Sequence, residues 1–257
     1  MKKSSLKTKL KSKELTIGSW ISFGFTQTCE IMANAGFDWL VIDMEHTVID
    51  HHQCLNLIQI IERNGVTPLV RVGANNPLLI KRAMDAGAHG VIVPMVNTLN
   101  DAQTAIDALY YPPSGSRGVG LGRAQNYGIG FEKYKKWADK ETMFFPQIEH
   151  IEGVNNLEKI LSLELVDGFI IGPYDLSGSL DVPGQWNHPT VIKALEKVNK
   201  VLNESDKPGG FHVVHSNHKE LIQRIAEGYT FNAYGDDMVF FAETIATEAD
   251  FISKIKK

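Results

Sequence analysis

Short apolar, β-branched segments alternate with longer amphipathic segments along most of this chain. The apolar segments predict strands at residues 16–21, 39–43, 68–72, 90–94, 143–148, 168–171, 210–214 and 230–234. The amphipathic segments predict helices at residues 26–35, 51–63, 77–86, 99–109, 154–163, 189–203, 219–227 and 238–255. This alternation is typical of a parallel sheet in which a helix follows each strand.

The length of the repeating unit distinguishes a closed barrel from an open sheet. Eight strand–helix units in 257 residues average about 32 residues each, which is typical of a (β/α)8 TIM barrel. A doubly wound open sheet is the alternative, but it usually has fewer strands and a glycine turn for phosphate directly after the first one. Here Phe23-Gly24-Phe25 follows the first strand. We therefore predict one α/β barrel domain over residues 15–257, preceded by a basic arm over residues 1–14.

The predicted arm differs in charge from the rest of the chain. Its lysines are Lys2, Lys3, Lys7, Lys9, Lys11 and Lys13. Residues 14–257 carry 20 basic and 30 acidic side chains. We interpret the arm as a solvated helix or tail and expect no nucleic-acid partner, because no arginine or aromatic residue accompanies the lysines.

The apolar segments are too short for a membrane span. The unbroken run at residues 91–96 is far below the roughly 18 residues that a transmembrane helix needs. The basic start has no apolar stretch behind it that would make it a secretory signal. We therefore expect a cytoplasmic protein with no membrane partner.

A long glycine-rich segment, residues 110–142, interrupts the alternation. Its Gly-Val-Gly-Leu-Gly run is only a weak phosphate-binding signal, since no helix follows at the required point. Interpreted as a loop after a strand, it would form a lid or one wall of an active site. Arg117 and Arg123 would then be its contacts to an anion.

Polar residues follow several predicted strands. Active sites of TIM barrels lie where the strands end. The residues at these ends are Asp43, Glu45 and His46 on the second strand, Arg71 on the third, Gln147 and Glu149 on the fifth, and Tyr174 and Asp175 on the sixth. This rim of carboxylates, one imidazole and one arginine is our candidate active site.

Glu149 and Asp175 are separated carboxylates on this rim. As hard oxygen donors they suit Mg²⁺ or Mn²⁺, with other coordination positions left for water and substrate. The spacing fits a second interpretation equally well. Glu149 would then cap the helix near Val154, and Asp175 would cap a short turn at Leu176-Ser177.

His46 lies close to Asp43 and Glu45 in the sequence, an arrangement that is typical of a general base. A carboxylate that accepts a hydrogen bond from one ring nitrogen fixes the tautomer and raises the basicity of the other nitrogen. A purely structural histidine is the alternative. We favour the base, because Arg71 ends the neighbouring strand.

Asp85 lies in the last turn of a predicted helix, where a negative charge opposes the helix dipole at a cost of about 0.3–1 kcal/mol. A compensating partner is therefore expected. An ion pair with Lys81 or Arg82 is one candidate, and a contact to an imidazole is the other.

Six motifs, taken in order, resemble the HpcH/HpaI-type class II pyruvate aldolases, typified by 4-hydroxy-2-oxoheptanedioate aldolase and 2-dehydro-3-deoxyglucarate aldolase. The resemblance covers residues 15–245. The motifs are AGFDWLVIDMEH, Val70-Arg71, LIKRAMDAGA, YPPSGSRGVG, Gln147-Ile148-Glu149 and GPYDLS. Each is weak alone, but their order and spacing are specific.

The resemblance implies an aldol or retro-aldol reaction that yields or consumes pyruvate and an aldehyde. A divalent ion, Mg²⁺ or Mn²⁺ with Co²⁺ also compatible, would bind Glu149 and Asp175 and act as a Lewis acid. His46 would be the base, with Asp85 raising its basicity. Arg71 would stabilise the developing oxyanion.

The resemblance also implies substrate contacts and an assembly. Gln147, Tyr174 and Asp175 match positions that hold the keto-acid, and Trp20 matches an aromatic residue at the mouth. Tyr174 replaces a small residue of the family, so a phenol pointing into the pocket would restrict the aldehyde, whereas one folded away would not. A homohexamer, a trimer of dimers with the helix at 238–255 exchanged, is expected.

Two rivals remain at this point: a related lyase acting on another keto-acid or a coenzyme A thioester, and a non-catalytic barrel. An imine-forming aldolase needs a lysine at a strand end, and none of the predicted strands ends in lysine. The residues therefore favour a metal over an imine.

Overall fold

A closed barrel of parallel strands forms the centre of the molecule. The computed structural model describes residues 5–256. Its strands are β1 Thr16–Ile21, β2 Trp39–Asp43, β3 Thr67–Arg71, β4 Gly90–Val93, β5 Met143–Ile148, β6 Phe169–Ile171, β7 Gly209–Val213 and β8 Phe231–Asp236. They pair in chain order, and β1 pairs with β8. The predicted (β/α)8 TIM barrel is thus confirmed, and the alternative of a doubly wound open sheet is wrong.

Helices surround the barrel. They are α1 Ser5–Lys11, α2 Thr26–Ala33, α3 His51–Arg63, α4 Pro77–Ala86, α5 Leu99–Leu109, α6 Phe131–Glu141, α7 Ile151–Leu161, α8 Pro173–Gly178, α9 Pro189–Glu204, α10 His218–Ala226 and α11 Asp237–Ile255. Local sequence sets their ends: Asp50 and Gln53 form a capping box at the start of α3, and Gly87, with φ of 110°, ends α4. None of the helices within residues 5–256 has the length and apolar composition for a membrane span.

Large apolar side chains fill the barrel interior where the strands begin. Trp39 and Phe145 each stack on Phe231 with ring centroids 4.3 Å apart. These three residues lie on β2, β5 and β8, so the stack crosses the interior. Gly18 makes room for it, since a Cβ there would lie 2.0 Å from the Trp39 ring. The free space of the barrel is therefore at its other end.

Helix α1 covers this filled end. Leu6 and Leu10 are buried in the same cluster as the aromatic stack, and Lys7 pairs with Asp167 at 3.0 Å. The predicted helix is present at residues 5–11, but the prediction that it is solvated is wrong for one face, because two leucines four apart give α1 an apolar face. Residues 1–4, which include Lys2 and Lys3 of the predicted arm, lie outside the described residues.

The segment at 110–142 lies away from the strand ends. It follows α5 and leads into β5, so it connects a helix to a strand at the end where strands begin. The prediction that it is a loop after a strand, forming a lid or wall of the active site, is wrong for this chain. Its arginines pair with carboxylates of other helices, Arg117 with Asp85 and Arg123 with Glu62, and are not anion contacts at the rim.

Candidate active site

Arg71 and Asp43 form a two-pronged ion pair at the rim. They are register partners on adjacent strands, and Arg71 donates from Nε to Oδ1 at 2.9 Å and from Nη2 to Oδ2 at 2.7 Å. Asp43 Oδ1 also accepts the backbone N–H groups of Glu45 and His46, at 3.0 and 3.4 Å. Although burial opposes it, the hydrogen bonds and charge of Arg71 lower the pKa of Asp43. Asp43 therefore orients Arg71 and the turn that carries the imidazole.

Glu45 is the carboxylate nearest to the His46 ring. Its Oε2 lies 3.7 Å from His46 Nε2 and 3.2 Å from Arg71 Nη1. Burial raises the pKa of Glu45 to about 7 despite the positive charge of Arg71, and the Glu149 carboxylate contributes to the rise. The His46 side chain is 62% exposed. The imidazole thus stands at the solvent side of the rim with a carboxyl beneath it.

Glu149 is fixed in the barrel mouth by two donors. It is 2% exposed. Its Oε1 accepts the Met95 backbone N–H at 2.7 Å, and its Oε2 accepts the Gln147 amide. Burial raises the pKa of Glu149, opposed by these hydrogen bonds and increased by the charge of Asp175. Gln147 Oε1 accepts in turn from Arg71 Nη1 at 3.5 Å, so one chain of contacts joins β3 to β5.

Neither metal-ligand candidate caps a helix. His150 is the residue that caps α7, accepting the Glu152 N–H at 3.1 Å. Helix α8 begins after Gly172, whose position has no side-chain cap, and the exposed Asp175 lies in its first turn. The capping interpretation of Glu149 and Asp175 is therefore wrong. A Cβ at Gly172 would lie 2.8 Å from Glu149 Oε2, so a larger residue would displace that carboxylate.

A cavity of about 360 Å³ opens at this end of the barrel. It is lined by Trp20, His46, Arg71, Gln147, Ile170, Ile171, Gly172, Pro173, Tyr174, Asp175, His212 and Val214. The Arg71 guanidinium carbon lies 4.4 Å from the centre of the Trp20 ring. Six of the residues predicted for the site thus line one space.

Tyr174 forms one wall of the cavity. Its phenol oxygen lies 3.4 Å from His215 Nε2, and its ring meets Trp186 edge-on at 4.7 Å. The side chain, 46% exposed, also lines a much smaller pocket of about 40 Å³ beside the first. The side chain is therefore a wall of both spaces.

Asp85 is held on a different part of the molecule. Its Oδ1 accepts from Arg117 Nη2 at 2.5 Å and from Gln125 Nε2 at 3.0 Å. Helix α4 runs back from β3, so its last turn lies at the end of the barrel where strands begin. The compensating partner is Arg117, which corrects the predicted pairing with Lys81 or Arg82. The structure does not bring Asp85 to His46 within one chain.

His212 lines the cavity but was not predicted from the sequence, because the predicted seventh strand ends in the apolar pair Val213-Val214. Its ring centre lies 5.0 Å from that of Trp20. Burial, with the charge of Arg71, lowers the pKa of His212 to about 3, so the imidazole is neutral. Val214, two residues on, lines the same cavity. This two-residue period of a strand was the available signal.

The donor set fits a hard divalent cation. Within residues 5–256, no three His, Cys, Asp or Glu side chains converge as ligands on one point, so the chain offers two carboxylates at most. Asp175 acts electrostatically on both Glu45 and Glu149, raising their pKa values. Glu45 Oε2 is buried without a hydrogen-bond partner in the described chain. Arg71 Nη1, 3.2 Å from Glu45 Oε2, offsets this negative charge only in part, and a cation held by Glu149 and Asp175 would offset the rest.

Comparison with known proteins places this geometry in a family. The sequence profile of the HpcH/HpaI aldolase/citrate lyase family matches residues 17–244. The chain is 38% identical over 208 residues to a hydroxypyruvate/pyruvate aldolase of Roseobacter denitrificans, covering 80% of this chain and 81% of that one. It is 37% identical over 237 residues to a pyruvate aldolase of Rhizobium etli, covering 92% of each.

A solved structure shares the whole fold. An HpcH/HpaI aldolase/citrate lyase family protein from Burkholderia cenocepacia superposes with a TM-score of 0.91 at 30% identity, covering 97% of this chain and 99% of that one. Sequence and structure therefore agree over nearly the entire barrel. This chain belongs to the HpcH/HpaI aldolase/citrate lyase family, as the resemblance of its motifs predicted.

Proposed function

We propose that this chain is a divalent-metal-dependent class II aldolase that cleaves or forms the carbon–carbon bond of a 4-hydroxy-2-oxo acid. Pyruvate and an aldehyde are its small-molecule partners. The observation that carries this proposal is the convergence of Glu149, Asp175 and Arg71 at one end of the barrel. None of the described strands ends in lysine, which favours a metal over an imine.

Each residue has a proposed role in cleavage. Glu149 and Asp175 would hold the ion, which when bound supplies Lewis-acid stabilisation of charge developing on the keto-acid. His46 takes the proton of the C4 hydroxyl, and Glu45 beneath it stabilises the resulting imidazolium. Arg71, held by Asp43, stabilises the negative charge that the same oxygen gains as its proton leaves. The electron pair of the C3–C4 bond then passes to the pyruvate part, and C4 becomes the carbonyl carbon of the aldehyde.

Substrate contacts are assigned to the remaining lining residues. Gln147 presents its amide beside Glu149 and would orient the keto-acid, together with the backbone at Tyr174. Trp20 would contact the aldehyde portion at the mouth. Asp85, paired with Arg117 in this chain, has no contact here through which to act on His46.

Pyruvate release from a 4-hydroxy-2-oxo acid tests the proposal. Purified protein should release pyruvate with Mg²⁺ or Mn²⁺ and stop when a chelator is added. His46→Ala should lower kcat by about 100-fold or more, whereas Glu158→Gln, an exposed carboxylate on α7, should not. Turnover that persists in chelator would refute the metal role, and full activity of His46→Ala would refute the assigned base.

We also propose the homohexamer with α11 exchanged between paired barrels. Helix α11 leaves large apolar side chains exposed, at Met238, Phe241, Ile245, Phe251, Ile252 and Ile255. Such a stripe supports burial against another copy. Ile245→Glu with Ile252→Glu should reduce the mass measured by sedimentation, whereas Glu248→Gln should not. An unchanged mass would refute the exchange.

A further inference from the structure

Met95 has a backbone conformation that residues with a side chain rarely adopt. Its φ is 52°, in the left-handed region where the Cβ of an L-residue is crowded by the backbone. Met95 lies two residues after β4, in the turn that leads from the end of this strand to α5. Such residues persist only where the surrounding structure imposes the conformation, and they are common at functional sites. The neighbours of Met95 must therefore hold this turn in place.

The chain is fixed on both sides of Met95. Val93 is paired with β5. Val96 is completely buried, and the carbonyl oxygen of Asn97 accepts a hydrogen bond from the Asn156 side chain of α7 at 2.9 Å. The chain must therefore turn from the barrel towards α7 within two residues, between a paired strand end and a buried side chain.

The turn brings the N–H of Met95 to Glu149. This N–H donates to Glu149 Oε1 at 2.7 Å, and the Gln147 amide donates to Oε2. The two donors come from different elements, the turn after β4 and the end of β5, so together they fix the position and the plane of the carboxylate. Each carboxylate oxygen has two acceptor positions, so one on each oxygen remains for a bound ion.

The side chain of Met95 does not account for its backbone conformation. It is 48% exposed and therefore packs little against the barrel. A glycine would adopt the same φ without crowding, at a greater loss of conformational freedom on folding. The contribution of this position to the site is thus its N–H group.

We propose that Met95 is a positioning residue, whose left-handed backbone directs the N–H that holds Glu149 in the orientation for binding a divalent cation. This inference rests on the proposed function, which assigns the ion to Glu149 and Asp175. Loss of a partner that orients a metal ligand typically weakens metal binding by about 10–100-fold. Displacement of this N–H should therefore weaken ion binding in a chain that still folds.

Substitutions that differ in their tolerance of positive φ test this role. Met95→Val should raise the Kd for Mg²⁺, measured by calorimetry without substrate, by about tenfold, because β-branched residues are strongly disfavoured at positive φ. Met95→Gly keeps both the N–H and the conformation, so it should bind Mg²⁺ about fivefold or more tightly than Met95→Val. A Kd of Met95→Val within about twofold of the wild-type value would overturn the proposal.

Tyr127→Val is the matched control. Tyr127 has a φ of 55° and lies in the segment at 110–142, away from the rim. The variant should unfold at a lower urea concentration than the wild type and keep the wild-type Kd for Mg²⁺. An equal increase of the Kd in Tyr127→Val and Met95→Val would assign the effect to general loss of stability and overturn the proposal.

The hydrogen bond can be tested without a substitution at Met95, should Met95→Val fail to fold. In metal-free protein labelled with ¹⁵N-methionine, the amide proton of Met95 should resonate further upfield in Glu149→Gln than in the wild type, because a neutral acceptor forms a weaker bond than a carboxylate. The amide proton of Met84, which lies within α4, should not move. An unmoved Met95 signal would overturn the proposal.

Binding of Mg²⁺ by the wild type separates this inference from the proposed function. Absence of binding would refute the metal dependence and the positioning role with it. Binding by the wild type and equally tight binding by Met95→Val would overturn the positioning role alone.

Discussion

Glu45 should make the metal-free protein less stable as the pH rises. Its pKa is raised from 4.5 to about 7 in the folded chain. A group with a raised folded pKa contributes stability that is complete below its unfolded pKa and is lost as the pH rises through the folded pKa. Between pH 5 and pH 8 the shift amounts to a loss of about 2.5 kcal/mol in the free energy of unfolding.

Glu45→Gln should remove this pH dependence, because the amide stays neutral at both values. Urea unfolding in chelator, at pH 5 and pH 8 and at one protein concentration, measures the difference for each protein. Between pH 5 and pH 8, the free energy of unfolding should fall by about 2.5 kcal/mol more in the wild type than in Glu45→Gln. Glu158→Gln should show the same fall as the wild type. Equal pH dependence of wild type and Glu45→Gln would refute the claim that Arg71 compensates Glu45 only in part in the metal-free protein.

Three further predictions concern the site and the fold. Metal affinity, measured by calorimetry, should rise between pH 6 and pH 8 as Glu45 ionises, and the rise should be smaller in Glu45→Gln, where only Glu149, whose pKa is also raised, still contributes; an unchanged pH profile in the variant would contradict it. Arg71→Lys should lower kcat by about 100-fold, because lysine keeps the charge but loses the two-pronged bond to Asp43; activity within a few-fold of wild type would argue against oxyanion stabilisation. Leu10→Ala should reduce the free energy of unfolding by about 2–5 kcal/mol, measured in urea against Lys11→Ala; a loss below about 1 kcal/mol would mean that α1 contributes little to closing the barrel.

Local patterns were sufficient to predict the barrel and most of its rim. Strand periodicity, helix-ending glycines and prolines at helix starts are all encoded within a few residues, and the ends of parallel strands must meet at one edge. Asp43, Arg71, Gln147 and Glu149 were placed correctly for this reason. The roles assigned to them remain proposals.

The wrong predictions concern contacts between residues far apart along the chain and segments whose composition suggested a different environment. Asp85 pairs with Arg117, 32 positions away, and no local pattern encodes such a contact. The segment at 110–142 follows a predicted helix, so element order alone would have placed it at the opposite end of the barrel. The many lysines of α1 suggested a solvated segment, although the spacing of Leu6 and Leu10 predicts an apolar face. The apolar residues that end the predicted seventh strand suggested that this strand has no polar residue in the site, although His212 precedes them.

Charge balance connects stability and function at the rim. Arg71 gives both prongs of its guanidinium to Asp43, so it compensates Glu45 and Glu149 only in part. Their raised pKa values are the free-energy cost of holding these carboxylates close together in a buried mouth. A divalent cation at Glu149 and Asp175 would recover that cost as binding free energy. The instability of the metal-free protein at high pH and its affinity for the ion are thus expected to rise together, because the same partly compensated carboxylates produce both.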